Sequence, residues 1–168
     1  SMQYRSALIV GAGPGLSASL ARLFAGRGIA VALAARRTDK LAGLCAETGA
    51  RAYQCSADDP ASVAALFTAV EASQPPPDIV VYNASSRARG PVAELDPAAV
   101  KQAIDITAFG AFLVSQQALR RMLPKGEGAL LLSGATAGVK GFANSAAFAM
   151  GKFALRGLAQ AMAREVSP

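Results

Sequence analysis

Short runs of apolar residues alternate along this chain with stretches that carry a helical pattern. The runs predict strands over residues 7–10, 29–34, 52–55, 79–82 and 129–132, and none of them alternates apolar with polar residues. Such runs are typical of strands that are buried on both faces. Helices are predicted between and after them, over residues 16–27, 38–47, 60–73, 97–123 and 145–165. This order predicts an α/β fold, a Rossmann-type doubly wound parallel sheet in three α/β/α layers.

The ends of the predicted helices carry the expected residues. Asp59 and Asp96 each precede a proline, as an N-cap precedes the first helical residue, and Gly28 and Gly49 stand where helices should end. The 168 residues contain no tandem repeat or linker, so we expect one domain over residues 1–168. The sequence stops just after the last predicted helix, and we expect the C-terminal strands of the full fold to be missing, which leaves the fifth strand at an exposed edge.

Composition excludes several classes of protein. Hydrophobic residues make up 52% of the chain and charged residues 17%, which excludes a disordered tail. The net charge of +6 suits an anionic partner, but no charged stripe or row of stacking aromatics favours nucleic acid. Histidine is absent, so Ser-His-Asp and Cys-His mechanisms and His-ligated metals are excluded. Cys45 and Cys55 have no metal-binding spacing, and we expect no metal site.

The same features bear on localisation. Glycines and a proline interrupt the uncharged stretch over residues 6–21, which therefore does not resemble the apolar core of a signal peptide. No continuous apolar run approaches the length that spans a bilayer. With two unpaired-looking cysteines, the chain is expected to be a cytoplasmic protein without membrane contact.

A glycine-rich turn follows the first predicted strand directly and opens the first helix. It contains Gly11, Gly13, Pro14, Gly15 and Leu16. Glycines permit a tight turn and let a pyrophosphate approach backbone N–H groups at a helix N-terminus, where the helix dipole is positive. The surrounding strand–turn–helix context favours a dinucleotide site over a plain connecting loop.

Three ordered motifs together resemble the classical short-chain dehydrogenase/reductase (SDR) family over essentially the whole chain. They are the Gly11-xxx-Gly15 turn, the strand end over residues 78–85 with Tyr82, Asn83, Ala84 and Ser85 in place of the family's Asn-Asn-Ala-Gly, and the Phe148-xxx-Lys152 helix. The match departs from the family pattern at Ser17, Tyr82 and Ser85. The resemblance implies a nicotinamide dinucleotide cofactor that is bound by the glycine turn, by residues 83–85 and by Lys152.

The end of the second predicted strand favours NADP(H). An acidic residue there would bind a ribose 2′-hydroxyl, whereas Arg36 and Arg37 offer charge-assisted contacts to a 2′-phosphate. Exposure to solvent alone is the alternative for both arginines. By the resemblance, Ser56 stands where the family has an adenine-binding Asp, with Asp58 and Asp59 just beyond it.

The resemblance places four catalytic positions, and only one keeps the family's residue. Lys152 is retained; Phe148 stands at the position of the proton-donating Tyr, Ala135 at that of the Ser, and Thr107 at that of the Asn. Phenylalanine cannot exchange a proton, so ordinary carbonyl reduction is expected to be impaired. Tyr82 is the one tyrosine close enough to the predicted crevice to be considered a substitute donor, although a local hydrogen bond is the simpler role for its hydroxyl.

Two functions remain open from the sequence. The first is an NADP(H)-dependent oxidoreductase with a variant site that acts on a small carbonyl or alcohol, and the second is an inactive dinucleotide-binding protein with a regulatory or scaffolding role. The family resemblance also implies a homo-oligomer built on the helices over residues 97–123 and 145–165. Arg87 and Arg89 are expected to face solvent rather than a substrate. Small and apolar residues expected at the subunit contact are Ala108, Ala111, Phe112, Ala146 and Ala149.

Overall fold

Five parallel strands form one sheet in the computed structural model, which describes residues 3–134 and 141–166. Their spatial order is β3-β2-β1-β4-β5. The predicted doubly wound α/β fold is therefore confirmed. The strands are β1 (Ser6–Val10), β2 (Ala30–Ala35), β3 (Arg51–Gln54), β4 (Ile79–Tyr82) and β5 (Ala129–Leu132).

In the described part of the chain, six α-helices connect or follow these strands. Asp59 and Asp96 cap α3 and α4 as predicted, because their carboxylates accept hydrogen bonds from backbone amides of the first turn. The predicted helix over residues 38–47 instead begins with a 3₁₀ turn, Asp39–Leu41. The helices are α1 (Leu16–Gly26), α2 (Ala42–Thr48), α3 (Pro60–Glu71), α4 (Pro97–Ile104), α5 (Gly110–Lys125) and α6 (Ala146–Val166).

The hydrophobic core lies in two layers, one on each face of the sheet. Successive residues of β1 point to opposite faces, so Leu8 and Val10 pack on one side while Ala7 and Ile9 pack on the other. The first side is covered by α3, α5 and Leu155 of α6. The second side is covered mainly by α1 and the α2 region. The three-layer arrangement predicted from the sequence follows from this division.

The prediction that all strands are buried on both faces is wrong for the two edge strands. β1 and β4 are completely buried, but most residues of β3 are exposed and Leu131 of β5 is 44% exposed. An apolar groove of about 590 Å³ runs beside β5, between α5 and α6, and includes Leu130, Met162 and Val166. Position in the sheet, which the apolar runs did not encode, decides the burial of these strands.

The predicted helix over residues 97–123 is interrupted in its middle. A π-helical turn, Asp105–Phe109, separates α4 from α5, and the amide of Gly110 bonds to the carbonyl of Asp105. A π-turn holds one more residue than an α-helical turn. The apolar residues of this segment keep a helical spacing, so the sequence did not reveal the extra residue. π-turns inside α-helices are frequently found at functional sites.

The expectation that no run is long enough to span a bilayer is also wrong. The helical segment Pro97–Lys125 is long and apolar enough by length and composition alone. Buried core helices meet the same criterion. In this segment Ala111, Val114 and Ala118 pack against the sheet, which accounts for its apolar character.

Candidate functional site

A cleft of about 340 Å³ opens at the carboxyl ends of the strands. It lies between β1 and β4, where the order of the strands reverses, which is the usual ligand position in open α/β sheets. Of the predicted cofactor-binding residues, Gly11, Arg36, Ser56, Asn83, Ala84 and Ser85 line it.

Gly11 is the residue of the turn that the fold constrains most strongly. Its φ is +87°, and an added Cβ would stand 2.3 Å from the backbone nitrogen of Ala84. The amides of Gly11 and Ala12 both donate to the carbonyl of Ala34. Only glycine therefore allows β1, β2 and the β4 loop to meet at the floor of the cleft.

The N-terminus of α1 is available to a ligand. Its N-cap is Gly15, with φ +83°, and no side chain caps the first turn. Unbonded amides at a helix N-terminus, together with the dipole, attract anions. Leu16, the first helical residue, is 53% exposed, and Pro14 is also exposed.

Ser17 has a role that the motif comparison did not reveal. Its buried hydroxyl accepts a hydrogen bond from the amide of Gly13 and donates one to the carbonyl of Gly13, both at 2.8 Å. The side chain thus fixes the turn against α1. The serine in place of the family's glycine was the feature of the sequence that could have pointed to this role.

The two arginines after β2 differ in position. Arg36 lines the cleft, whereas Arg37 is not among its described lining residues and lies 3.6 Å from Asp39 in an exposed ion pair. In the described part of the chain, Arg36 forms no ion pair. Of the two arginines, Arg36 is therefore the one that can reach a ligand in the cleft.

The segment after β3 forms the far wall of the cleft. Ser56, Ala57 and Asp58 line it, and the amide of Ser56 bonds to the hydroxyl of Ser62 on α3. Asp59 caps α3 instead of facing the cleft. Of the two acidic residues considered from the sequence, Asp58 is therefore the one that lines the cleft.

Phe148 lies beneath a cation. The guanidinium carbon of Arg87 is 4.0 Å from the centre of the Phe148 ring, and Lys152 Nζ is 5.4 Å from it. These distances are those of cation–π contacts. Arg87 is exposed, as expected, and its guanidinium also contacts the Phe148 ring, which the sequence did not predict.

Lys152 is partly buried at the end of β5. Its Nζ donates to the carbonyl of Ser133 at 3.3 Å, and its side chain passes close to Gly134. Burial lowers the pKa of Lys152, and the nearby charge of Arg87 lowers that pKa further. The hydrogen bond to Ser133 thus fixes the position of the ammonium group. Its surroundings make the charged form less favourable than it is in water.

Thr107 lies in the π-turn and is completely buried. Its hydroxyl accepts a hydrogen bond from the amide of Ser86 at 3.2 Å. A Cβ on Gly151 would meet Thr107 Cγ2 at 2.8 Å, so α6 packs tightly on the turn. Thr107 therefore joins the loop after β4 to the helix that carries Phe148 and Lys152.

Tyr82 has a structural partner. In an α-helix the Gly110 amide would bond to the Ile106 carbonyl; in the π-turn it bonds to Asp105, and the Tyr82 hydroxyl donates to Ile106 instead. Burial raises the pKa of Tyr82. The phenol is committed to a backbone carbonyl, as the simpler of the two sequence hypotheses stated.

Two further predictions concern Ala135 and a metal site. Ala135, predicted at the position of the family's Ser, lies outside the described residues. Among residues 3–134 and 141–166, no group of three His, Cys, Asp or Glu side chains is placed to hold a metal ion.

Comparison with known proteins gives consistent matches. A family model described as short chain dehydrogenase matches residues 5–168. The cis-4-hydroxycyclohexanecarboxylate dehydrogenase of Sinomonas cyclohexanicum is 35% identical over 164 residues, which are 95% of this chain and 66% of that protein. The 3-oxoacyl-acyl-carrier-protein reductase MabA of Mycobacterium bovis is 31% identical, over 97% of this chain and 64% of the relative.

A solved structure shares the fold closely. A metagenomic short-chain oxidoreductase in complex with NADP superimposes with a TM-score of 0.90 and 27% identity, over 96% of this chain and 75% of that one. The chain described here spans just under two thirds of the length of the two curated relatives.

Proposed function

Because this chain belongs to the short-chain dehydrogenase/reductase family, we propose that it is an NADP(H)-dependent oxidoreductase with a variant catalytic site. Its substrate class on this proposal is a small carbonyl compound or alcohol. The observation that carries the proposal is the cleft at the carboxyl ends of β1 and β4, with its glycine turn and its arginine.

The described residues fit such a cofactor. The close approach at Gly11 leaves no room for a side chain, and the uncapped N-terminus of α1 offers amides to a pyrophosphate. Arg36 would bind the 2′-phosphate, and Ser56 and Asp58 would border the adenine. Two relatives whose names describe a dehydrogenase and a reductase, and a structural neighbour that holds NADP, support the same cofactor class.

When bound, the nicotinamide supplies or accepts a hydride. Lys152 would hold the ribose hydroxyls beside the ring, and its position is set by the Ser133 carbonyl. Thr107 holds the loop after β4 through Ser86. Phe148 is half-buried beside Lys152, and its side chain cannot move a proton to or from the substrate oxygen.

The absence of a tyrosine hydroxyl at position 148 is expected to lower the reaction rate strongly. Loss of a positioned proton donor lowers a rate by about 10²–10⁴-fold, and loss of a hydrogen bond to the reacting oxygen lowers it by about 10²–10³-fold. These groups act as a unit, so the two losses do not multiply fully. Turnover is proposed to be slow relative to relatives that keep the Tyr.

The second candidate is a dinucleotide-binding protein without turnover. The contact of Arg87 with Phe148 favours it, because a cation covers the ring that stands where the proton donor is expected. In this case the cofactor-bound state has a regulatory or scaffolding role.

Two measurements separate these candidates. Titration of the protein with NADPH and with NADH, followed by cofactor fluorescence, tests binding; failure of both cofactors to bind contradicts both proposals. Loss of NADPH absorbance with a panel of aldehydes and ketones then tests turnover. Binding with turnover supports the oxidoreductase, whereas tight binding with no turnover supports the second candidate.

We also propose that the protein forms a homo-oligomer through exposed aromatic residues of the π-turn, α5 and α6. Phe109 and Phe112 stack at 6.1 Å and are each 42% exposed, and Phe153 is 48% exposed. Ala111 and Ala149, expected at this contact, are instead buried within the chain. Light scattering is expected to show a dimer or larger species that Phe112→Glu dissociates; a wild-type monomer at micromolar concentration contradicts the proposal.

A further inference from the structure

Next to the cleft lining at Ser86 stand two positive charges, on Arg87 and Lys152, that no described carboxylate neutralises. Arg87 and Lys152 both lie against the Phe148 ring, at 4.0 and 5.4 Å from its centre. Neither forms an ion pair among the residues that the structure describes. The charge of Arg87 disfavours the charged form of Lys152. An anion between or beside them would relieve this repulsion.

The position of Arg87 is fixed by its neighbours along the chain. The amide of the preceding residue, Ser86, donates to the buried hydroxyl of Thr107. Gly90, three residues after Arg87, donates from its amide to the carbonyl of Asn144. The loop is therefore tied on both sides of Arg87, once to the π-turn and once to the segment before α6.

The chemistry of the two groups defines the ligand. A guanidinium has five N–H donors in a planar fork, which can form paired hydrogen bonds with a planar anion. The contact with the Phe148 ring already restricts the Arg87 side chain, so less side-chain entropy is lost when an anion binds. Lys152 adds a second cation on the same ring.

We propose that Arg87 and Lys152 form an anion subsite beside the Phe148 ring, so that the substrate carries a carboxylate or phosphate group. This inference rests on the proposed function, because the bound anion is a substrate only if the protein is an oxidoreductase. It narrows the proposed substrates to oxo or hydroxy compounds that bear an anionic group. Arg87 is the specificity-determining residue, because Lys152 is also required by the cofactor.

Binding of benzoate and phenyl phosphate tests the subsite, with benzamide as the neutral probe of similar shape. Calorimetric titrations are run on the full chain with and without saturating NADP⁺. Benzoate or phenyl phosphate is expected to bind at least about tenfold more tightly than benzamide, the difference that about 1.4 kcal/mol of charge-assisted hydrogen bonding gives. Preference for one of the two anions identifies the carboxylate or the phosphate as the recognised group.

Arg87→Ala and Arg89→Ala form the matched pair of variants. Both remove one exposed arginine from the same loop, but only Arg87 contacts Phe148. Arg87→Ala is expected to abolish the preference for anions, Arg87→Lys to retain part of it, and Arg89→Ala to leave it unchanged. Equal losses in the two alanine variants, or equal binding of benzamide and benzoate by the wild type, overturn the proposal.

Failure of the proposed function gives a different result. If the wild type does not bind NADP⁺ or NADPH, the function fails, while the titrations without cofactor still decide the anion subsite. If NADP⁺ binds and neither anion does, the subsite fails and the function stands. NADPH affinity is expected to be the same in Arg87→Ala and the wild type; a matching loss of NADPH affinity would assign Arg87 to the cofactor and overturn the subsite.

Discussion

The cofactor side and the catalytic side of the site depend on different kinds of feature. On the side of β1, β2 and β3, the site depends on backbone geometry: the positive φ of Gly11, the uncapped start of α1 and the close packing on the β4 loop. On the side of β5 and α6, the site depends on functional groups of side chains, and the sequence predicts that Phe148 and Thr107 stand where the family has Tyr and Asn. The helices that would present those groups are nevertheless in place.

This difference separates binding from chemistry. Backbone amides and a helix dipole can hold a cofactor whatever side chains lie nearby. Proton transfer instead requires one hydroxyl at one position. A chain can therefore lose the second property and keep the first, and the following predictions test how independent the two sides are.

The largest effect is expected at the cofactor side, for Gly11→Ala. Its methyl group would stand 2.3 Å from the Ala84 nitrogen, and the residue would also be strained at φ +87°. Strain and overpacking together predict a loss of about 4 kcal/mol in the free energy of unfolding, with no measurable NADPH binding. Urea unfolding measures the loss.

Gly13→Ala is the control for that change. Nothing lies within 4 Å of a Cβ at Gly13, and its φ is not positive, so the free energy of unfolding should change by less than about 1 kcal/mol. Similar stability of the two variants would contradict the assignment of Gly11 as the floor of the cleft.

Restoring the phenol tests the catalytic side. Phe148→Tyr is expected to raise NADPH-dependent carbonyl reduction by about 10²-fold, because Lys152 is already close to the ring. Adding Ala135→Ser should raise it further, and Thr107→Asn should help only after those two. An unchanged rate in a wild type that turns over well would show that another group transfers the proton.

Phe148→Leu gives the matched control, since it removes the ring without adding a hydroxyl. No rise in the rate is expected from it. A rise equal to that of Phe148→Tyr would mean that relief of the Arg87 contact, and not proton donation, limits turnover.

A smaller effect is expected where the two sides are joined, at Tyr82. Tyr82→Phe leaves the carbonyl of Ile106 without its side-chain donor and should lower the free energy of unfolding by about 2 kcal/mol. Tyr53→Phe is the control, because the buried Tyr53 hydroxyl has no partner in the described structure and its loss should cost little. Thermal unfolding of both variants checks the difference, and equal losses would remove the role given to Tyr82.

Cofactor selectivity is expected to change more modestly. Arg36→Ala should weaken NADPH binding by about tenfold and leave NADH binding nearly unchanged, since a charge-assisted hydrogen bond contributes about 1.5 kcal/mol. Arg37→Ala, which removes the partner of Asp39, should have little effect on either cofactor. Fluorescence titrations compare the four affinities; equal losses of NADPH and NADH binding in Arg36→Ala would contradict the assignment.

The smallest effect concerns the pH dependence of stability. The pKa of Lys152 is lower in the folded chain than in the unfolded chain, so the unfolded state binds this proton more tightly. Its contribution to stability should therefore rise as the pH rises between those two pKa values. Lys152→Met should remove that rise in pH-dependent unfolding, and an unchanged slope would show that Lys152 is not desolvated.

The sequence predicted the fold well because its signals are local. Apolar runs, Asp-Pro caps and the glycine turn each depend on residues close together along the chain, and all three lie in the structure where they were expected. The π-turn was missed because it adds one residue to a helix whose apolar spacing stays nearly the same. The exposure of β3 was missed because it depends on strand order, whereas β5 lies at an exposed edge as expected.

For the site, sequence by itself determined which residue types are available: a cofactor turn, Arg36, Lys152, and a phenylalanine where a proton donor is expected. Only the tertiary structure decided which of them act together. It separated Arg36 from Arg37, committed Tyr82 to the Ile106 carbonyl, and brought Arg87 onto Phe148 from a loop 61 residues earlier in the chain. Contacts between side chains so distant in sequence follow from the packing of whole elements, and no local pattern encodes them.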